Sequence, residues 1–222
     1  MFYSNKNSLI RKVFGMRHLS YIATATVLMY ASFCGAAQTK HVGEDLFIKN
    51  ACASCHGSDG KMPIFSYYPS LAGQSKDYLN EQLQDIVSGK RSSHYSEQMR
   101  LVVDDLKLSK ADANSIADWL SLQSTPAKAK HSAKSSTGAK KAIASANGKR
   151  LYKERGCAGC HGSTGNNPIL PNAPKLAANN SDYLLNQLQG FQTGERSGTI
   201  MSAILTGIPK SELEDIATWL GK

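Results

Sequence analysis

The chain of 222 residues has no apolar run of the roughly 20 residues that a membrane-spanning helix needs. Its longest apolar stretch, Tyr21 to Cys34, is 14 residues. Acid is missing altogether from residues 1–37, where Lys6, Arg11, Lys12 and Arg17 precede that stretch and Gly35-Ala36-Ala37 follow it. Basic start, short apolar core and small residues read together as a secretory signal, with cleavage expected after Ala37. An uncleaved anchor is one alternative; a lipoprotein at Cys34 is another, which bulky Phe33 fits poorly. Each of the three sends the remaining chain out of the cytoplasm. Strand-like alternation of apolar and polar residues is absent as well, which leaves an all-α fold. Cysteine is scarce: beyond Cys34 only four remain, in two close pairs, and export makes their setting an oxidising one.

Acid is also absent between residues 124 and 145, which hold five lysines. The formal net charge of +9 is therefore unevenly spread. The signal carries +4, residues 38–123 carry −2, residues 124–145 carry +5 and residues 146–222 carry +2. Neither flanking segment has the basic stripe that nucleic-acid binding requires, so nucleic acid is excluded as a partner. The lysine-rich segment leaves room for association with an anionic membrane surface.

What is present is a repeat. An offset of 105 residues pairs Cys52-Ala-Ser-Cys55-His56 with Cys157-Ala-Gly-Cys160-His161. The same offset pairs Gly43 with Gly148, Phe47 with Tyr152, Pro69 with Pro174, Tyr78 with Tyr183, Gln82 with Gln187 and Arg91 with Arg196. It slips to 102 at Met99 and Met201, then to 100 at Trp119 and Trp219, where loops are expected. Repetition sets the domain count: signal 1–37, first domain 38–123, linker 124–145, second domain 146–222. The linker is mostly Ala, Ser, Thr, Gly and Lys with almost no large apolar side chain, so it cannot bury a core and reads as a flexible tether.

Each copy reads as three helices with long loops. The first runs into the cysteines. The second starts at Ser75 or Ser181 and sets Tyr78, Leu79, Gln82, Leu83 and Ile86 on one side. The third starts near Ser109 or Ser211, each followed three residues later by an acid in the manner of a capping box. Domains of about eighty residues are small for a protein-only core, and a large apolar cofactor would help to fill each one.

The doubled Cys-x-x-Cys-His segment says which cofactor. Cys52 and Cys55, and Cys157 and Cys160, are placed for thioether bonds to haem vinyl groups, with His56 and His161 reaching the iron from the same side. A redox dithiol, half a zinc site or a local disulfide competes for a single Cys-x-x-Cys. The following histidine, the duplication, export and the lack of a thioredoxin-like strand-helix pattern oppose those readings. For the sixth iron ligand, the second copy offers only Met201 after His161. The first offers Met62, His94 and Met99, of which Met99 alone shares the position of Met201, in the loop before the last helix. Core packing is the competing role for a methionine, and His94 is a rival ligand. Pro69 and Pro174 stand at one distance from the two histidines; either their carbonyls orient the rings or the prolines only shape loops.

With these residues in place, each half resembles class I cytochromes c, and the tandem resembles dihaem cytochrome c4. The Cys-x-x-Cys-His segments, the run from Tyr68 to Gln74 and the methionine before the last helix carry the likeness. It implies two covalent haem c groups, each in a small helical bundle whose first helix crosses its last. Gly43, Phe47, Ile116 and Trp119 would fill that crossing, and Gly148, Tyr152, Ile216 and Trp219 its counterpart. It also implies Pro69 and Pro174 carbonyls holding the histidines, a periplasmic location, and electrons passed to a terminal oxidase. Two departures stand out: a long connector, which suggests loose docking, and Leu-Ala-Ala-Asn in the second copy where the first has Leu-Ala-Gly-Gln.

With both axial positions filled, the expected role is a monomeric carrier of single electrons and not an enzyme. Its donor would be a membrane quinol-oxidising complex or a dehydrogenase. The alternatives are a haem subunit docked to a dehydrogenase, such as a flavocytochrome c sulfide dehydrogenase, and a dihaem peroxidase, which needs an open iron.

Overall fold

The computed structural model describes residues 40–126 and 137–221. The signal segment, Cys34 and residues 127–136 of the linker lie outside the described residues. Among those described the regular structure is helical, with one antiparallel bridge, between Arg91 and Arg196.

The first domain holds α1 (Val42–Lys49), α2 (Ala53–His56), α3 (Lys76–Val87), α4 (His94–Leu106) and α5 (Lys110–Leu122). The second holds α6 (Thr137–Glu154), α7 (Ala158–His161), α8 (Ser181–Thr193), α9 (Thr199–Leu205) and α10 (Lys210–Leu220). Side-chain caps explain three of the starts. His41 Nδ1 accepts from Gly43 N at 3.0 Å, and Glu44 and Asp45 follow in the first turn, where the helix dipole favours acid. Ser75 Oγ accepts from Tyr78 N at 3.1 Å to open α3, and Ser109 Oγ accepts from Asp112 N at 3.1 Å to open α5.

Three readings of the sequence need correction. Ser211 is no cap: α10 begins after Pro209, which supplies no side-chain bond, and Ser211 sits inside the helix. Helix α8 starts where the sequence placed it, at Ser181, with Asn180 at its N-cap. Met99 and Met201 lie within helices α4 and α9 and not in loops; these and the short turns α2 and α7 give each domain five helices where the sequence suggested three. The last nine residues of the linker, 137–145, are helical and continue into the second domain as α6. Alanine and lysine have high intrinsic helix propensity, and a run that buries nothing can still be a helix when one end is anchored in a core.

The helix crossing is present in both domains. Helix α1 packs on α5 with Phe47 and Trp119 rings 5.2 Å apart, and α6 packs on α10 with Tyr152 and Trp219 rings 4.8 Å apart. Glycine permits the approach: a Cβ on Gly43 would lie 2.0 Å from Ser115 O, and one on Gly148 2.0 Å from Asp215 O. In the second domain this crossing belongs to a core of Leu151, Tyr152, Leu184, Ile216 and Leu220. Because α1 and α6 run directly into the cysteine motifs, the crossing fixes where the sulfurs sit.

The two domains are docked through paired contacts that follow the repeat. Gln74 Nε2 donates to Lys175 O at 2.6 Å while its Oε1 accepts from Lys175 N at 2.9 Å. Asn179, its equivalent, accepts from Ser70 N at 2.9 Å. The Gln-to-Asn difference between the copies thus changes a two-bond contact into a single one. Ser92 N donates to Glu195 O at 2.8 Å and Ser197 N to Lys90 O at 3.2 Å, which frames the arginine bridge.

Candidate haem sites

Each cysteine motif forms one short helical turn closed by a glycine with positive φ, Gly57 at 81° and Gly162 at 78°. A side chain there would meet backbone, since a Cβ on Gly57 lies 2.5 Å from Met62 O and one on Gly162 lies 2.0 Å from Asn167 O. The turn therefore folds the following loop back tightly beside the histidine.

His56 and His161 are buried, and each Nδ1 donates to a proline carbonyl 3.1 Å away, Pro69 O and Pro174 O respectively. The carbonyl can only accept, so the proton sits on Nδ1 and Nε2 carries the free lone pair. Burial lowers both imidazole pKa values, which keeps the rings neutral and able to ligate a metal. Burial also pushes the Cys52 and Cys157 thiols up.

In the first domain these groups face one cavity of about 400 Å³. Cys52, Cys55, His56 and Met99 all line it, and its walls are mostly apolar side chains of α3, α4 and α5. Two sulfurs, a neutral imidazole nitrogen and a thioether around one apolar space are the donor set that a covalently attached, six-coordinate haem requires. Met62 is 77% exposed, away from this space; the His94 side chain lies outside the described ones. An aromatic group flanks the site, with Tyr67 stacked on Tyr95 at 4.3 Å and Tyr68 6.2 Å from the His56 ring. The second copy has Asn172 and Ala173 in place of Tyr67 and Tyr68.

In the second domain Met201 is partly buried against Leu205, Ile208 and Leu213. Tyr152 donates from its hydroxyl to Gly162 O at 2.8 Å, a bond that Phe47 cannot make. Burial holds that phenol neutral, well above its ordinary range.

The first-domain cavity does not stop at the domain boundary. Arg91 lines it, and so do Asn179, Tyr183 and Gln187 of the second domain. The repeat alignment showed Arg91 and Arg196 as matching positions without a role; the signal that would have found it is a strong cation kept at one repeat position.

The cytochrome c family profile matches residues 41–124 and 145–222. Among curated relatives, cytochrome c-552 of Acidithiobacillus ferridurans is 30% identical over 78% of this chain and 74% of its own. Cytochrome c4 of Stutzerimonas stutzeri is 29% identical over 76% of this chain and 82% of its own. The thiosulfate dehydrogenase electron acceptor of Thiomonas intermedia is 28% identical over 95% and 93%. Among solved structures, reduced cytochrome c4 of Pseudomonas stutzeri superposes with a TM-score of 0.66 at 26% identity, covering 80% of this chain and 95% of that one. Two matched segments, two cysteine motifs and two-domain relatives agree: the chain belongs to the cytochrome c family, in the dihaem c4 arrangement, and is an electron-transfer protein that carries two covalently bound haem c groups.

Proposed function

We propose that this chain is a periplasmic carrier of single electrons between respiratory partners, with His56 and Met99 as axial ligands of one haem iron and His161 and Met201 as those of the other. Each haem, when bound, supplies an iron that alternates between ferric and ferrous. The protein's share is to hold that iron closed. Cys52, Cys55, Cys157 and Cys160 anchor the ring edges, and the Pro69 and Pro174 carbonyls fix the imidazole planes. A thioether is soft and neutral, so Met99 and Met201 favour the ferrous state and raise the reduction potential. A filled sixth position leaves no place for oxygen or peroxide, which favours a carrier over a peroxidase.

The observation that carries this reading is the shared cavity of Cys52, Cys55, His56 and Met99. The relative named as a thiosulfate dehydrogenase electron acceptor supports a dehydrogenase as the electron source, and a terminal oxidase is the proposed sink. No helix among the described residues is long and apolar enough to cross a membrane. The experiment is rapid mixing of the mature, haem-loaded protein with a reduced dehydrogenase and then with an oxidase. Two electrons accepted and released per chain, by transient encounters, is the expected result. Stable co-purification with a catalytic subunit would replace the free carrier with a docked one.

A further inference from the structure

The histidine and the methionine of each site come from separate parts of a domain, and in the first domain one short segment is tied to both. Pro69 O accepts from His56 Nδ1 at 3.1 Å. The two residues just before Pro69 meet α4, the helix that carries Met99. Tyr67 stacks on Tyr95, with ring centroids 4.3 Å apart and planes 18° from parallel. Tyr68 meets Tyr95 edge-on at 6.5 Å and donates from its hydroxyl to Gln98 Oε1 at 3.3 Å. Tyr95 and Met99 are four residues apart and so share one face of α4, and both line the first-domain cavity together with Tyr67 and Tyr68. Residues 67–69 thus form a strap from the imidazole to the methionine helix.

The second domain keeps half of this device. Pro174 O accepts from His161 Nδ1 at 3.1 Å, but Asn172 and Ala173 stand where the first domain has Tyr67 and Tyr68. At the offset that pairs the methionines, Ser197 and Ile200 replace Tyr95 and Gln98. Helix α9 is instead tied to α8. Ser202 Oγ donates to Phe191 O at 3.0 Å, and Gln192 Nε2 donates to Leu205 O at 2.8 Å and Ile208 O at 2.9 Å. The first domain has Arg100 and Val87 at the positions of Ser202 and Gln192. Arg100 donates to Glu97 and Asp104 of its own helix, and a valine side chain has no donor. The two methionine helices are therefore held by different means.

A thioether is a soft, neutral donor, and the harder ferric iron holds it loosely. How firmly the protein fixes its helix then decides how often it leaves. We propose that Tyr67, Tyr68 and Tyr95 are positioning residues of the first haem site, a strap that keeps Met99 on the iron from the segment that also orients His56. Closure of the first centre depends on that aromatic strap, and closure of the second does not. This deepens the reading of Met99 as an axial ligand and rests on it.

The test uses the full, oxidised, haem-loaded chain and the double variant Tyr67→Asn with Tyr68→Ala, which gives the first domain the residues of the second. Imidazole is the probe. It binds only where the methionine has left, so its apparent affinity measures the open fraction of each centre. The first centre is identified as the one whose red-edge band Met99→Ala removes. Loss of the stacked pair and the Gln98 hydrogen bond should raise imidazole affinity at that centre about tenfold. The second centre should stay at its wild-type affinity. Tyr67→Phe keeps the stacked ring and should also stay at the wild-type value. Unchanged affinity at the first centre overturns the proposal even if the melting temperature falls, because the tyrosines would then only support the fold. An equal rise at both centres overturns it as well, as does a rise in Tyr67→Phe that matches the double variant. Should the double variant not load haem, Tyr67→Leu takes its place, and unchanged affinity there is equally decisive. If Met99→Ala leaves the bands of both centres intact, the ligand assignment itself falls, independently of the strap.

Discussion

Replacing Gly148 with alanine puts a methyl group where α10 already sits. The added Cβ would lie 2.0 Å from Asp215 O, 2.5 Å from Asp215 C and 2.9 Å from Trp219 Cβ, whereas ordinary contact begins at 3.4 Å. Two of those atoms are helix backbone, so no side chain can swing aside; α6 and α10 must part by on the order of 1 Å, against the close packing of a protein core. Overpacking of this kind costs about 3 kcal/mol, and the better helix propensity of alanine returns about 1 kcal/mol, a net loss of about 2 kcal/mol. For a domain of this size that is a fall in melting temperature of about 10 °C. Gly159→Ala is the control: nothing stands within 4 Å of its Cβ, and Ser54 occupies the matching place in the other motif. Thermal unfolding followed by far-ultraviolet circular dichroism and by Soret absorbance reads both. A Gly148→Ala protein melting together with Gly159→Ala would refute the claim that the crossing is set by backbone contact.

Other outcomes follow from single contacts. Met99→Ala and Met201→Ala should each remove the red-edge band of methionine-bound ferric haem from one centre only and open that iron to added imidazole; a band that survives would assign the ligand elsewhere. Tyr152→Phe removes one of the two donors to Gly162 O, leaving Gly165 N, and should cost about 1 kcal/mol by denaturant titration, whereas no loss would mean that Gly165 N alone satisfies the carbonyl. Ser109→Ala removes a cap bond and should cost about 1 kcal/mol. Ser211→Ala, inside its helix, should cost less than about 0.5 kcal/mol, and equal costs would contradict the assigned start of α10.

The repeat made much of the architecture readable. Gly43 and Gly148, with the aromatic residues four positions on, pointed to the crossing through the resemblance to class I cytochromes c, and the structure bears it out because so close a helix approach leaves no room for a side chain at the glycine. The cysteine motifs were legible because covalent haem attachment demands a fixed local spacing. Helices α4 and α9 were less visible: Met99 and Met201 stand in polar, Ser- and Gly-containing surroundings that resemble a loop, and packing against α3 and α8 overrides that weak preference. Ser211 misled because a capping pattern has meaning only at a helix start, and Pro209 moves that start earlier. The helical end of the linker is illegible in the sequence because a segment with little apolar content carries no periodic signal, and its helix depends on continuity with the anchored part of α6. Docking was hidden most deeply, since Arg91, Gln82, Tyr183 and Gln187 lie far apart in sequence and meet only through the two-domain arrangement.

Electronic absorption and paramagnetic resonance of the oxidised, full-length mature protein, taken before and after addition of cyanide, test the central claim directly. The account predicts two low-spin ferric signals, both with methionine character and both resisting the added ligand, and two one-electron steps on reduction. A high-spin signal from either centre, or rapid cyanide uptake at both, would contradict it.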